Sequence, residues 1–200
     1  NTSSTVDSIP WCRYNAAMTS IAKLTKQLER RPNCRLFLDA WLKWRGESPV
    51  PMRGNIRVED LRSALAATTI WQIEGQDKFT VRLGSSLIEE WSGEVRRGKN
   101  FFDLISDRDK QKWKSRFSAV LDTSCGIYFQ GNEIHLQNGG VVTHDTLMFP
   151  VIRACNEKPS FLYHCADLVD RPMSLDHPQF VDFPLKNNYE YIDIGYGLPS

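Results

Sequence analysis

The sequence has no long apolar run. Its longest stretch free of charged residues and histidine reaches only from Ser63 to Ile73, too short to span a bilayer, so no membrane association is expected. It has no excess of either charge. Lys plus Arg number 25 and Asp plus Glu 24, which removes the main electrostatic argument for nucleic-acid binding. It has no C-x-x-C, and its five cysteines (Cys12, Cys34, Cys125, Cys155, Cys165) are odd in number. That pattern speaks against a disulfide framework or a zinc ribbon and for a reducing cytoplasm. The first residues, NTSSTVDSIPWCRYN, lack a basic-then-apolar leader pattern. They also lack an initial Met, as expected of a chain that starts inside a longer protein or follows a tag remnant. G-x-S-x-G is absent and no other local signature marks a nucleophile. Paired catalytic carboxylates cannot be singled out, because Glu89 and Glu90 sit side by side on one predicted helix and point apart. A non-enzyme is the expectation.

What is present is an ordinary globular composition, 41% apolar and 24% charged over 200 residues, enough for one domain with a real core. Residues 1–14 read as a flexible start. Ala17, Ile21, Leu24 and Leu28 then recur at helical spacing, and Pro32 ends that helix. This stripe fits either the domain core or a partner's identical helix. A second helix from about Cys34 to Arg45 carries Phe37, Leu38, Trp41, Leu42 and Trp44 on one wide face, and Gly46 caps it. Pro49-Val-Pro-Met-Arg53-Gly54 is an extended connector. A short helix over Val58 to Ala67 follows, with Asp60 in reach of Arg57 or Arg53.

Two β-forming runs, Thr69–Glu74 and Lys78–Gly84, flank Gly75-Gln-Asp77 and read as a hairpin. Phe79, Val81 and Leu83 share one face of the second run. Ser86-x-x-Glu89 looks like a capping box for a short helix through Trp91. Ser106-x-x-Asp109 opens a longer helix that turns Trp113, Phe117, Val120 and Leu121 inward. Strands are then expected at Ile127–Gln130, Val141–Ile152 and Ser160–Leu168, with turns at Asn138-Gly-Gly140 and Asn156-Glu-Lys-Pro159. The tail after Arg171 holds Phe180, Phe183, Tyr189, Tyr191 and Tyr196 and is expected to pack on the domain or lead to a partner.

Gly93-Glu-Val-Arg-Arg-Gly-Lys-Asn100 differs by one residue from a phosphate-binding loop. Such a loop leaves a buried strand and enters a helix. This one leaves a helix and enters a short Phe-Phe piece, and Asn100 is a poor substitute for the metal-binding hydroxyl. The reading is therefore a turn. Gly93 closes a helix, Arg96 and Arg97 stay in water, and Gly98-Lys99-Asn100 leads into Phe101-Phe102.

Histidines number four. His144 and His164 fall on expected neighbouring strands, where ligation of a metal or haem is conceivable and a hydrogen-bonded core histidine is commoner. Cys155 or Cys165 beside His164 reads as core cysteine. Aromatic content is the stronger signal. Phe79, Trp91, Phe101, Phe102, Trp113, Phe117, Phe129, Phe149, Phe161 and Tyr163 fit one wall between sheet and helices, either a full core or an apolar pocket.

The order of elements from Thr69 to Leu168, β-β-α-α-α-β-β-β, resembles a PAS domain. The run Arg35-Leu-Phe-Leu-Asp-Ala-Trp41, then Pro51-Met-Arg53 and Ile56, then Phe79-Thr-Val-Arg82-Leu-Gly84, then Gly98-Lys-Asn-Phe-Phe-Asp-Leu104 is similar to a PAS-like family of alphaproteobacteria. The likeness spans Cys34 to Asp170. Trp41, Pro51, Arg53, Arg82, Gly84, Gly98 and Asp103 match positions of structural weight. The chain departs from the pattern at Glu90-Trp91-Ser92-Gly93, where Trp91 would fill part of a pocket. Nothing resembles the cysteine motif of flavin-binding light sensors, and a haem-anchoring histidine is missing, so no cofactor is implied.

The resemblance implies an α+β fold, with a five-stranded antiparallel sheet, helices on one face and an N-terminal helical extension. It divides the chain into an extension (1–32), a PAS-like domain (33–170) and a tail (171–200). It also implies a sensory or regulatory module. The aromatic-lined sheet face then gives the expected place of a small molecule, against Phe79, Arg82, Trp91, Phe101, Phe102, Phe117, Phe149, Tyr163 and His164, with the signal passing through a partner protein or homodimer. No metal site is expected. The competing reading is a protein-interaction or dimerisation module with a filled core, motivated by the Ala17–Leu28 stripe and the aromatic tail.

Overall fold

The computed structural model describes residues 11–155, 157–172 and 178–199, with side chains from residue 16 onward. Residues 1–10 of the expected start, part of the Asn156–Pro159 turn and His177 lie outside these residues, as does the side chain of Cys12. Residues 11–14, expected as part of a flexible start, are helical instead, since helix α1 runs from Trp11 to Gln27. Pro32 opens helix α2 (Pro32–Arg45) at its first turn, where a missing N–H costs nothing.

Strands β1 (Thr68–Gly75) and β2 (Lys78–Leu83) form the expected hairpin. Helix α3 spans Ser86–Ser92 and α4 spans Asp107–Thr123. Strands β3 (Gly126–Leu136), β4 (Val141–Val151) and β5 (Phe161–Asp170) follow. The cap of α3 is Ser85, one residue earlier than expected, and its hydroxyl accepts the Ile88 N–H at 3.2 Å. The tail supplies β6 (Phe180–Asp182) and β7 (Tyr189–Ile192). All pairings are antiparallel in the order β2-β1-β5-β4-β3-β6, with β7 also on β3. The five-stranded α+β core with helices on one face is therefore present. The tail extends it at β3, and α1 with α2 covers the opposite face.

Strand alternation sorts the core into two layers. Odd-numbered Leu147, Phe149, Val151, Phe161, Tyr163 and Cys165 face α1, α2 and the 3-10 segment Val58–Ala67. Even-numbered Met148 and Leu162 face α4 and the 3-10 turn Phe101–Leu104, beside Trp71, Phe79, Val81, Trp113 and Phe117. Ala17, Ile21, Leu24 and Leu28 are all buried within this one chain, so the stripe faces its own core. Asp60 does not pair with Arg53 or Arg57. It joins the two helical pieces by accepting from Lys43 at 2.5 Å and from Trp44 Nε1 at 2.9 Å.

β3 is longer than the expected Ile127–Gln130. Its ladder with β4 slips between Phe129 and Asn132, where Gly131 takes φ +66°. A bulge at such a glycine adds one residue and shifts the alternation. Ile127 and Phe129 point inward before it, Ile134 and Leu136 after it. Asp145 on β4 holds the bulge, accepting the Gly131 N–H at 2.8 Å, the Tyr128 hydroxyl at 3.0 Å and Arg31 Nε at 2.5 Å. The Asp145 side chain is only 6% exposed. Arg31→Ala strands this carboxylate, and a loss of about 2–3 kcal/mol is expected, read as a lower urea midpoint with an unchanged slope. A loss below about 0.5 kcal/mol would mean that the pair is as weak as a surface ion pair.

Candidate functional site

A small cavity of about 40 Å³ lies on the inner face, lined by Trp71, Ile88, Arg96, Phe101, Trp113, Asn132, Glu133, His144, Thr146, Met148, His164, Phe183 and Pro184. That space holds about three water-sized spheres. Its apolar side is Trp71 stacked on the His164 ring at 4.9 Å and tilted against Phe101 at 4.7 Å, with Met148 and Ile88 beside them.

The polar side is unusual. Arg96 Nε and Nη2, Trp113 Nε1, Asn132 Oδ1, His144 Nδ1, Thr146 Oγ1 and His164 Nδ1 are buried without a hydrogen-bond partner. All six residues line this one cavity. Buried polar atoms are normally paired, so such a concentration marks a place built to meet something polar.

Four separate elements and one loop bring the six residues together. His144 and Thr146 stand two apart on β4, on one face. His164 on β5 pairs in register with Met148. The β3 bulge brings Asn132 opposite His144, and Trp113 comes from α4. Arg96 arrives on the loop after α3. Gly93 ends that helix at φ +68°, with Pro178 of the tail packed where a Cβ would be. Glu89 Oε1 accepts the Arg96 N–H at 3.1 Å, and the loop is tied to β2 by Val81 N–H to Lys99 O at 3.0 Å and Gly98 N–H to Val81 O at 2.8 Å.

This overturns the expectation that Arg96 stays in water. Arg97 is exposed, but Arg96 is only 8% exposed. Its guanidinium lies over the Phe183 ring at 4.3 Å and the Phe180 ring at 5.4 Å. The tail phenylalanines shield the cation from solvent and face it with their π-clouds. Asn100 is a structural clamp: its Oδ1 accepts the Phe79 N–H at 2.9 Å and its Nδ2 donates to Asp77 O at 3.0 Å.

Burial sets the electrostatics. It pulls the Arg96 guanidinium down to about 9, against the opposing pull of Glu94 and Glu89, so Arg96 is a cation at neutral pH. Burial and then the Arg96 charge push His144 down to about 4. Burial, His144 and Arg96 push His164 down to about 3. The site at pH 7 is one cation beside two neutral imidazoles.

Of the nine residues expected to form the site, Phe101 and His164 line the cavity. Phe79, Phe102 and Phe117 pack behind it, with Phe79 stacked on Phe117 at 5.4 Å. Trp91 stands 6.2 Å from the His144 ring without lining the space. Phe149 and Tyr163 lie on the other sheet face under α2, where Phe149 stacks on Trp41 at 4.4 Å and Tyr163 meets Trp44 edge-on at 6.3 Å. Arg82 is on the outside of β2, bonded to Gln72 Oε1 at 2.7 Å and Glu74 Oε1 at 3.2 Å. The reason is strand parity: both faces of β4 and β5 are buried, so apolarity alone does not say which face meets which layer. Cys165 likewise faces α2 while its neighbour His164 faces the cavity. Among the described residues, no three His, Cys, Asp or Glu side chains are grouped to hold a metal ion, and no helix is long and apolar enough to cross a membrane.

An antiparallel sheet with a small polar cavity under a short helical wall defines an α+β module of PAS type. The family model described as PAS domain matches residues 29–164, and the chain belongs to that family. A solved structure of wild-type Drosophila melanogaster Cycle PAS-B with bound ethylene glycol is similar, with 10% identity and a TM-score of 0.36 over 50% of this chain and 99% of that one. The chain matches no curated protein sequence.

Proposed function

We propose that this chain is a sensory or regulatory module of the alphaproteobacterial PAS-like kind, acting in the cytoplasm. It binds a small molecule in the inner cavity and passes the signal on through protein contacts. The carrying observation is the convergence of six buried side chains with unpartnered polar atoms on one cavity. A filled interaction core would leave no such set, because each unpaired group costs about 1–3 kcal/mol. In this reading residues 33–170 are the binding module, 1–32 its extension and 171–200 its tail. Phe101 and His164 stay in the proposed site, now joined by Trp71, Arg96, Trp113, Asn132, His144 and Thr146.

Occupancy is coupled to protein contacts by the tail. Phe183 and Pro184 line the cavity, and β6 beside them pairs with β3. A ligand that binds one position of this strap better than another biases it by that difference in affinity. Denaturing mass spectrometry of the purified protein should release a small molecule, or a metabolite library should raise its melting temperature. No released compound together with no thermal shift would sink the reading.

A further inference from the structure

Arg96 has two unpartnered nitrogens, Nε and Nη2. On a guanidinium these two N–H groups lie parallel along one edge, the geometry that a carboxylate meets side-on with two hydrogen bonds. Among the described residues, no carboxylate is paired with that guanidinium. Glu89 uses Oε1 on the Arg96 backbone N–H, and Glu94 is paired with Lys99. Glu133, the carboxylate on the cavity wall, is held by Lys186 at 2.7 Å and His135 at 2.9 Å. Waters alone satisfy dipoles but leave a buried cation without a counter-charge, which is costly.

Space and wall chemistry narrow the answer. About 40 Å³ admits roughly three or four heavy atoms at about one water-sized sphere each. Trp113 Nε1 adds a further fixed donor, and the His144 and His164 Nδ1 atoms donate or accept according to tautomer. Trp71, Phe101 and Met148 supply an apolar floor for a methyl or C–H group. We propose, resting on the sensory reading above, that the cavity is a site for a small monocarboxylate of formate or acetate size, held by the Nε/Nη2 edge of Arg96. A dicarboxylate brings a second negative charge that no second cation among the described lining residues answers.

The test follows the Arg96 Nε–Hε resonance of the wild-type chain by ¹H–¹⁵N NMR while sodium formate or sodium acetate replaces sodium chloride at fixed ionic strength. Acetamide, the neutral analogue of acetate, is titrated in parallel. A saturable shift with a carboxylate and none with acetamide is expected. In Arg96→Gln, the carboxylate affinity read by thermal shift should fall by about tenfold or more. The wild-type resonance decides the matter even if that variant does not fold. Linear drift with both carboxylates overturns the assignment, as does an undiminished response in a folded Arg96→Gln. If acetamide or another neutral compound saturates the site and carboxylates do not, the anion is wrong and the sensory reading stands. If no small molecule of either kind binds, both fall.

Discussion

Acidification from pH 7 to pH 4 should unfold most of this protein. His144 and His164 are neutral in the fold: burial and Arg96 push His144 down to about 4, and burial, His144 and Arg96 push His164 down to about 3. In the unfolded chain a histidine titrates near 6.5. Below that pH the unfolded state therefore binds protons that the folded state refuses. The stability these residues contribute is complete above pH 6.5 and is lost as pH falls toward the folded values. Each histidine then costs about 3 kcal/mol by pH 4, a large share of the roughly 5–15 kcal/mol that holds a domain together. Asp145 lies close enough to draw the His144 value upward, against Arg96, but burial dominates. Carboxylates held low in the fold, such as Asp109 with Arg108, begin to lose their contribution below about pH 5, so the window from 6.5 to 5 reports the two imidazoles. Urea midpoints at pH 7, 5.5 and 5 should fall steeply, and the His144→Gln/His164→Gln double variant should flatten the slope. A midpoint independent of pH across that window contradicts the buried neutral pair.

Trp41→Ala should cost about 4 kcal/mol and lower the melting temperature by roughly 8–16 °C for a chain of this size. Trp41 is fully buried. Its ring stacks on Phe149 at 4.4 Å, and its Nε1 donates to Pro150 O at 3.3 Å. It therefore joins α2 to β4 by both packing and a hydrogen bond. Truncation leaves a cavity in the layer that also holds Phe37, Leu38 and Tyr163. Trp41→Phe keeps most of the ring contact and loses the donor, so a smaller loss of about 1–2 kcal/mol is expected. A loss below 1 kcal/mol for Trp41→Ala by differential scanning calorimetry would show that the helical layer is not seated on this sheet face.

These two effects sit on opposite faces of one sheet, and the sequence exposed the faces unequally. The α2 stripe and the β1–β2 hairpin were legible because their signals are local: helical spacing in Phe37, Leu38, Trp41 and Trp44, and a Gly-Gln-Asp turn between β-formers. The second half of β3 was not. Gln130-Gly131-Asn132 reads as a strand end, and only pairing with β4 and the Asp145 carboxylate turns it into a bulge. The tail strands were hidden for a similar reason. Phe180–Asp182 and Tyr189–Ile192 are short and follow proline-rich chain, and they become strands because β3 offers them an unpaired edge.

Arg96 is the clearest case. Arg96-Arg97-Gly98-Lys99 has the composition of a solvated turn, and no residue beside Arg96 distinguishes it from Arg97. Its direction depends on the αL end of α3 at Gly93, on Glu89 accepting its N–H, and on Phe180 and Phe183 far along the chain. His144 and His164 were legible as neighbours on adjacent strands, but not as members of a polar set.

By itself, then, the sequence determined the α+β element order, the apolar stripes and the family, because periodicity and turn chemistry act over a few residues. Tertiary structure alone decided which parity of β4 and β5 meets the cavity, that Arg96 turns inward, and that the tail lines the site. Those choices depend on desolvation and pairing between groups tens of residues apart, and no local pattern records them.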